Sequence, residues 1–275
     1  MMIAKRVIGT FFIVSLVINA RADFPFGKGR KILFPSFSFS SAQRNYDRNG
    51  SVVSMGQGAG FSSTSFALFF GYGIGRNLDF SANIPFANQV LKSASGKLTN
   101  AGFGDAFFSL SYHIPSEDLK NYFTLRTGLY VPMYAGSVTP SLGYGNNGLS
   151  LGANYSFSPY KDGFCIADLT HIRYFADDGS GPNVTSYNIT FGKSFNVFHL
   201  FTIGLTHTDS KSVNKNFSFD LPQNRDFTTG RITLGYGRRA SRMMMPFFQV
   251  YYTPYGRNAG ASYGASFSII SKLPL

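Results

Sequence analysis

The stretch that decides the fold is residues 65–86, SFALFFGYGIGRNLDFSANIPF, in which apolar and small side chains alternate. One face of its second half is apolar, formed by Leu78, Phe80, Ala82, Ile84 and Phe86. The opposite face is polar, formed by Asp79, Ser81 and Asn83. A period of two is typical of a β-strand that has a different environment on each face. Because Gly75-Arg76-Asn77 is only long enough for a tight turn, the stretch predicts an antiparallel hairpin.

The same alternation recurs along the chain, and helical periodicity is absent. It predicts about twelve strands of about ten residues, which is the length of a transmembrane strand. The segments are 31–40, 65–74, 76–86, 105–114, 122–131, 149–157, 164–175, 186–192, 198–208, 231–236, 247–253 and 261–269. Within 164–175, Asp168 and Arg173 fall on opposite faces, which indicates a bulge or an irregular register. Nothing divides these segments into two domains.

The composition indicates which solvent surrounds the strands. Charged residues make up 14% of the chain and aromatic residues 17%, with 30 Phe, 16 Tyr and no Trp. The mean hydropathy is −0.02, which several membrane helices of about 20 apolar residues each would not give. A soluble sandwich would carry Lys and Glu on its outer face, but the polar faces here consist of Ser, Thr, Asn and Gly. The fold class that we predict is therefore all-β, a closed antiparallel transmembrane β-barrel with its apolar face toward lipid.

The connections between the predicted strands alternate in length. Short connections fall at 75–77, 115–121, 158–163, 194–197 and 238–242. Longer connections fall at 42–60, 88–101, 133–147, 176–183 and 209–226, and only the last hairpin near 255–258 departs from the alternation. Short periplasmic turns and longer external loops are typical of bacterial outer-membrane barrels. This pattern predicts a location in the bacterial outer membrane.

The N-terminus predicts export. Lys5 and Arg6 precede an apolar run over residues 7–18, and Ala20-Arg21-Ala22 provides the small residues of a cleavage site. We expect a cleaved signal peptide at 1–22 and a barrel domain at 23–275. The formal charge of +12 falls to +9 once Lys5, Arg6 and Arg21 are removed. Export and scattered cations argue against a nucleic-acid partner, so the expected partners are outer-membrane lipids, small-molecule solutes, and periplasmic chaperones with the barrel-assembly machinery during biogenesis.

A barrel of twelve strands has a backbone radius of about 12 Å, which leaves room in the lumen for a small solute. Alternation predicts inward polar residues that could form a constriction or a solute site, namely Asp79, Asp105, Arg126, Arg231 and Gln249. A structural charge network is the alternative for this set. The inward aromatic residues could line an apolar path or only fill space, and they are Phe69, Phe107, Tyr122, Tyr130, Phe247 and Tyr251.

Several short motifs carry a resemblance to a known family. Gly102-Phe103-Gly104-Asp105 opens a strand, Tyr130-Val131-Pro132 ends the next one, and Leu142-Gly143-Tyr144-Gly145 precedes another. Over about residues 70–175 the chain resembles the outer-membrane transporter-like proteins of the phenol meta-cleavage pathway, which are grouped with fatty-acid-channel-like barrels. Where that family has Thr-Gly after the proline, this chain has Met133-Tyr134. The resemblance implies passage of small hydrophobic or aromatic compounds across the outer membrane.

Two other classes of function are open alternatives. A lipid hydrolase would need a base, an acid and a hydroxyl together, and only His207-Thr208-Asp209-Ser210 groups them. Adjacent residues of a strand point to opposite faces, so we predict no catalytic residues. A structural barrel, or one whose external loops recognise a partner, is the second alternative. We predict no cofactor and no metal site, because no Cys and His cluster has zinc-ligand spacing and Asp177 and Asp178 fit a solvated loop.

The two remaining features concern folding. The chain has one cysteine, Cys165, so no disulfide can form within it. Assembly signals of outer-membrane barrels usually end in an aromatic residue, whereas this chain ends in SKLPL at residues 271–275. The assembly machinery would then have to recognise Tyr263, Phe267 and Ile269 instead, or tolerate Leu275 as the last residue.

Overall fold

The computed structural model describes residues 25–94, 96–134, 139–196, 198–241 and 243–273. Fourteen strands are present among these residues, together with one short 3₁₀ turn at Leu221–Gln223. The strands are β1 Lys31–Tyr46, β2 Val52–Ser54, β3 Gly60–Gly73, β4 Leu78–Ser93, β5 Gly96–Phe103, β6 Asp105–Pro115, β7 Tyr122–Pro132, β8 Asn147–Phe157, β9 Gly163–Phe175, β10 Asn183–Phe195, β11 His199–Lys211, β12 Phe227–Arg238, β13 Met244–Arg257 and β14 Ala259–Leu273. The predicted signal peptide at 1–22 lies outside the described residues.

Twelve of these strands form a closed antiparallel barrel. Each barrel strand pairs with its neighbour in chain order, and β14 pairs back with β1. Phe37 of β1, for example, lies opposite Phe267 of β14 and opposite Phe66 of β3. The short strands β2 and β5 extend this wall by pairing with β1 and β4. The prediction of a twelve-stranded all-β barrel is confirmed.

The two faces of the barrel wall differ as the alternation predicts. Outward side chains are apolar and exposed, as in Leu151 at 58% and Leu234 at 52% of their surface. Inward side chains are crowded because the inner surface is concave, and Ser150, next to Leu151, is fully buried. A continuous outward band of apolar side chains is what the hydrocarbon of a bilayer covers. No helix in the described residues is long and apolar enough to cross a membrane.

The barrel has a turn end and a loop end. At the turn end, β3–β4, β6–β7, β8–β9, β10–β11 and β12–β13 are joined by at most six residues. The connections at the loop end include 133–146, 176–182 and 212–226. Two predicted loops are different: 42–60 contains the end of β1, which pairs with β2, and 88–101 forms a hairpin between β4 and β5, with Leu91 opposite Leu98. Residues 96–99 are exposed, so this hairpin lacks the contrast between two faces that identified the other strands.

The strand pairing is regular where we expected an irregularity, within residues 164–175, and irregular elsewhere. β9 pairs with β8 and β10 without a register shift, so the bulge expected within 164–175 is absent. Asp168 faces the lumen and Arg173 is exposed on the outer face near the loop end, which regular alternation allows. A shift does occur in the wall beside β4, where Gly104 separates β5 from β6 and its N–H donates to the Pro85 carbonyl over 2.9 Å.

Candidate functional site

The candidate site is the barrel lumen. The alternation of each strand places all of the predicted lumen residues on the inward face, where most of them are buried or half-buried. The polar members are Asp79, Asp105, Arg126, Arg231 and Gln249. The aromatic members are Phe69, Phe107, Tyr122, Tyr130, Phe247 and Tyr251. The structure brings these residues together in separate groups along the lumen, and their role in passage of a solute remains a prediction.

The first group joins two sequence motifs that are far apart in the chain. The carboxylate of Asp105 accepts hydrogen bonds from the backbone N–H of Tyr144 over 2.8 Å and of Gly145 over 3.3 Å. A side chain at Gly143 would lie 2.5 Å from the Asp105 carboxylate, so the loop can come this close only with glycine there. Burial raises the pKa of the Tyr144 phenol in this loop to about 12. The motif Gly-Phe-Gly-Asp therefore anchors the motif Leu-Gly-Tyr-Gly inside the barrel.

A second loop packs against the first one. The backbone N–H of Ser141 donates to the Asp220 carboxylate over 2.8 Å, and Asn100 donates to the Pro140 carbonyl over 2.8 Å. The hydroxyl of Ser210 on β11 donates to the carbonyl of Arg225 over 2.6 Å. Residues 139–146 and 212–226 together form what we call the loop cap. Because the cap contacts inward residues from β6 to β14, it narrows the loop end of the lumen.

The Asp220 side chain is the most deeply buried acid of the loop cap, with 1% of its surface exposed. Burial raises its pKa to about 6, and the hydrogen bond from Ser141 opposes this shift. Only one carboxylate oxygen accepts a hydrogen bond, and the other is buried without a partner. The packing of the two loops therefore depends on a carboxylate whose charge is poorly solvated.

A ladder of four aromatic rings lines one side of the lumen below the cap. Phe107 and Tyr130 have their ring centroids 4.5 Å apart, and Tyr130 and Tyr174 are 5.5 Å apart. Tyr144 of the cap completes the ladder, 4.5 Å from Tyr174. Sequence reasoning missed Tyr174 because the register of 164–175 was unresolved, although its alternation with Ile172 was a usable signal. Tyr174 itself is buried and packs with Ile172 and Val184. Phe107, Tyr130 and Tyr144 are instead half-buried and offer a solute part of their aromatic faces and edges.

The other charged lumen residues form pairs. Arg126 on β7 donates to the Asp168 carboxylate on β9 over 2.9 Å. At the turn end, Asp79 contacts Nε2 of His113 over 2.9 Å and accepts the backbone N–H of Phe26 over 2.8 Å. Sequence reasoning did not assign His113 to this group. The Phe26 contact places residues 25–27 against the inner wall, so the lumen is narrowed at both ends.

Arg231 differs from these charged residues. Its guanidinium carbon lies 4.2 Å from the centroid of the Tyr251 ring, and its side chain is exposed to the lumen. No described carboxylate forms an ion pair with it. Arg231 and Tyr251 line a cavity of about 210 Å³ between β1, β12, β13, β14 and the loop cap.

The grouping His207-Thr208-Asp209-Ser210 is divided between the two faces of β11. His207 lies on the outer face, where its Nδ1 is 2.9 Å from the hydroxyl of Tyr255. Ser210 is buried on the inner face, and its hydroxyl donates to the Arg225 carbonyl. The histidine therefore does not contact the serine. The described residues contain no cluster of three or more His, Cys, Asp and Glu side chains with the geometry of a metal site.

Comparison with known proteins supports the fold. No family model matches the sequence, and no curated protein matches it significantly. Among solved structures, the chain is similar to the COG4313 outer membrane channel from Pseudomonas putida F1, with a TM-score of 0.74 and 13% identity over 94% of this chain and 100% of that one. The NanC porin, with a TM-score of 0.49 and 11% identity, covers 87% of this chain and is itself covered completely. The CymD monoaromatic hydrocarbon channel, with a TM-score of 0.46 and 10% identity, aligns over 90% of each chain.

The likeness to the COG4313 channel covers nearly the whole barrel. At 13% identity it shows the fold alone, a twelve-stranded β-barrel of the outer-membrane type. The function of this chain has to be inferred from the residues that line its lumen.

Proposed function

We propose that the chain is a bacterial outer-membrane channel through which small, hydrophobic or aromatic solutes pass. The observation that carries this proposal is the aromatic ladder at the loop end of the lumen, in which Phe107, Tyr130 and Tyr144 keep part of their rings exposed. A pore that conducts only hydrated ions gains little from aromatic walls, because water binds apolar surface poorly. When an apolar solute leaves water and enters the lumen, contacts with the rings of the ladder take the place of its contacts with water.

Three further points support the same function. The COG4313 protein with this fold is an outer-membrane channel, and the proteins that the motifs resemble are associated with phenol degradation. The narrow lumen selects small molecules. We propose in addition that residues 1–22 are a signal peptide removed on export, and that periplasmic chaperones and the barrel-assembly machinery insert the barrel.

Liposome swelling is the test of passage. Purified protein in liposomes should pass phenyl glucoside, an aromatic solute that the bilayer retains, faster than a disaccharide of similar size once the rate of protein-free liposomes is subtracted, and a double variant Phe107→Ala and Tyr130→Ala should reduce the difference. Intact folding of each variant is checked by circular dichroism and by heat-modifiable migration on a gel. Zero flux of every small solute through a folded barrel would reject the channel and favour a structural or surface-recognition role.

The lipid hydrolase alternative has its own test. Because His207 and Ser210 lie on opposite faces, we expect no phospholipid hydrolysis that depends on either residue. Hydrolysis by the wild-type protein that is lost in His207→Ala and Ser210→Ala variants would contradict this expectation.

A further inference from the structure

We infer that the cavity beside Arg231 binds a small organic monocarboxylate that has a single apolar ring. The inference rests on the proposed channel function and specifies one class of its solutes. It depends on three observations: an arginine without an acidic partner, an aromatic ring that holds it, and a cavity with both apolar and polar walls.

The charge of the cavity is the first observation. Fourteen described residues line it, and Arg231 is its one charged residue. Arg126, the other arginine among the predicted lumen residues, has a carboxylate partner in Asp168. A guanidinium without a counter-ion on the wall of a lumen attracts an anion. The cavity is therefore selective for negative charge.

The orientation of the guanidinium is the second observation. Arg231 lies over the Tyr251 ring, and the ring in turn packs where Gly264 leaves space, since a side chain there would lie 2.5 Å from it. A cation over an aromatic face is held by the ring quadrupole. This contact gives the N–H groups no oxygen acceptor, so they remain able to donate to a ligand. The N–H groups of a guanidinium are spaced like the prongs of a fork, and this spacing favours two parallel hydrogen bonds to one carboxylate.

The walls of the cavity identify the rest of the ligand. Phe61, Leu221 and Phe227 supply apolar surface, and Ser41, Thr229 and Ser262 supply hydroxyl groups. An apolar cavity of about 150 Å³ is enough to bind benzene. A cavity of about 210 Å³ has room for one ring and a carboxylate. Leu221 belongs to the loop cap, so the cap forms one wall of the site.

Binding measurements on the full-length mature barrel in nonionic detergent test the inference separately from flux. Isothermal titration calorimetry compares benzoate with benzyl alcohol, which has nearly the same shape and no charge. We expect benzoate to bind about 10- to 100-fold more tightly, the range of one charge-assisted hydrogen bond. Arg231→Gln should abolish the difference, and Arg231→Lys should retain part of it because it keeps the charge but loses the fork.

Arg238→Gln is the matched control, since Arg238 is an exposed arginine on the outer face of the same strand and its loss changes the net charge equally. This variant should bind benzoate as the wild type does. Equal affinity for benzoate and benzyl alcohol, or an equal loss in Arg231→Gln and Arg238→Gln, would overturn the inference. If liposomes still pass neutral aromatic solutes, either result rejects the benzoate site and leaves the proposed channel function in place. A barrel that binds benzoate but passes no solute would reject the proposed channel function and leave the binding site in place.

Discussion

At the scale of the residue, Asp105 shows how a short motif acts over a long distance. Its carboxylate holds the backbone of a loop 39 residues later, through the N–H groups of Tyr144 and Gly145. Hydrogen bonds to an ionised group are each worth about 1.5–3 kcal/mol. They act together with the Ser141 contact to Asp220 and the packing of Tyr144 on Tyr174 to hold the loop inside the lumen. The resemblance identified both motifs, but only the structure shows that they are in contact.

The first prediction concerns this contact. Asp105→Ala should free residues 139–146, because it removes the acceptor of both hydrogen bonds. We expect larger and noisier single-channel conductance in planar bilayers, and faster proteolysis near residue 140. Asp118→Ala is the control, since Asp118 is an exposed aspartate in a connection at the turn end. Unchanged conductance in Asp105→Ala, or the same change in both variants, would show that the carboxylate does not hold the loop.

At the scale of the element, strands were predictable and loops were not. A strand in a barrel wall reveals itself locally, because lipid on one face and a crowded lumen on the other impose a period of two. The loop cap depends instead on contacts between distant segments, such as Ser141 with Asp220, which no local pattern encodes. The hairpin of β4 and β5 was missed for a related reason, since its exposed residues meet water on both faces. His113 was likewise visible as an inward residue, but its contact with Asp79 required the pairing of β4 with β6.

The second prediction concerns the pH dependence of the loop cap. The pKa of Asp220 is raised to about 6 in the folded cap, above the ordinary value of about 3.9, so the folded cap binds the proton more tightly than the open loop does. The packing of the cap should therefore be most stable below pH 4 and should weaken as the pH rises from about 4 to about 6. Hydrogen exchange of residues 212–226, corrected for its intrinsic pH dependence, measures this change.

Asp220→Asn is the control for this prediction. The asparagine cannot ionise, and its side-chain oxygen can still accept the hydrogen bond from Ser141. Protection in this variant should be independent of pH between 4 and 7 and should exceed that of the wild type at pH 7. Protection that rises with pH in the wild type would mean that hydrogen bonds in the cap stabilise the charged carboxylate by more than burial destabilises it, contrary to the prediction.

At the scale of the whole molecule, closure of the barrel explains two features, which are the amino-acid composition and the pairing of the first strand of the sheet with the last. Pairing of β1 with β14 gives each of the twelve described barrel strands a neighbour on both sides, so the barrel wall presents no first or last strand to lipid, which could not solvate its backbone. Closure also separates two solvents, so a chain rich in Phe and Tyr reaches a mean hydropathy of −0.02 because its lumen face is polar. Tyr263 and Phe267 lie exposed on the outer face of the closing strand, which is consistent with the expected assembly signal.

The last prediction tests which solvent each face meets. Leu234 and Thr233 are adjacent near the middle of β12, and they point outward and inward respectively. Arginine near the bilayer midplane on the lipid face costs about 2–4 kcal/mol, whereas a lumen position stays hydrated. Leu234→Arg should therefore lower the free energy of unfolding from lipid vesicles by about this amount, and Thr233→Arg by much less. Urea titration followed by tyrosine fluorescence measures both variants. A loss of less than about 1 kcal/mol for Leu234→Arg, the cost of an arginine near the membrane interface, would mean that this part of the exposed apolar band does not lie in the hydrocarbon.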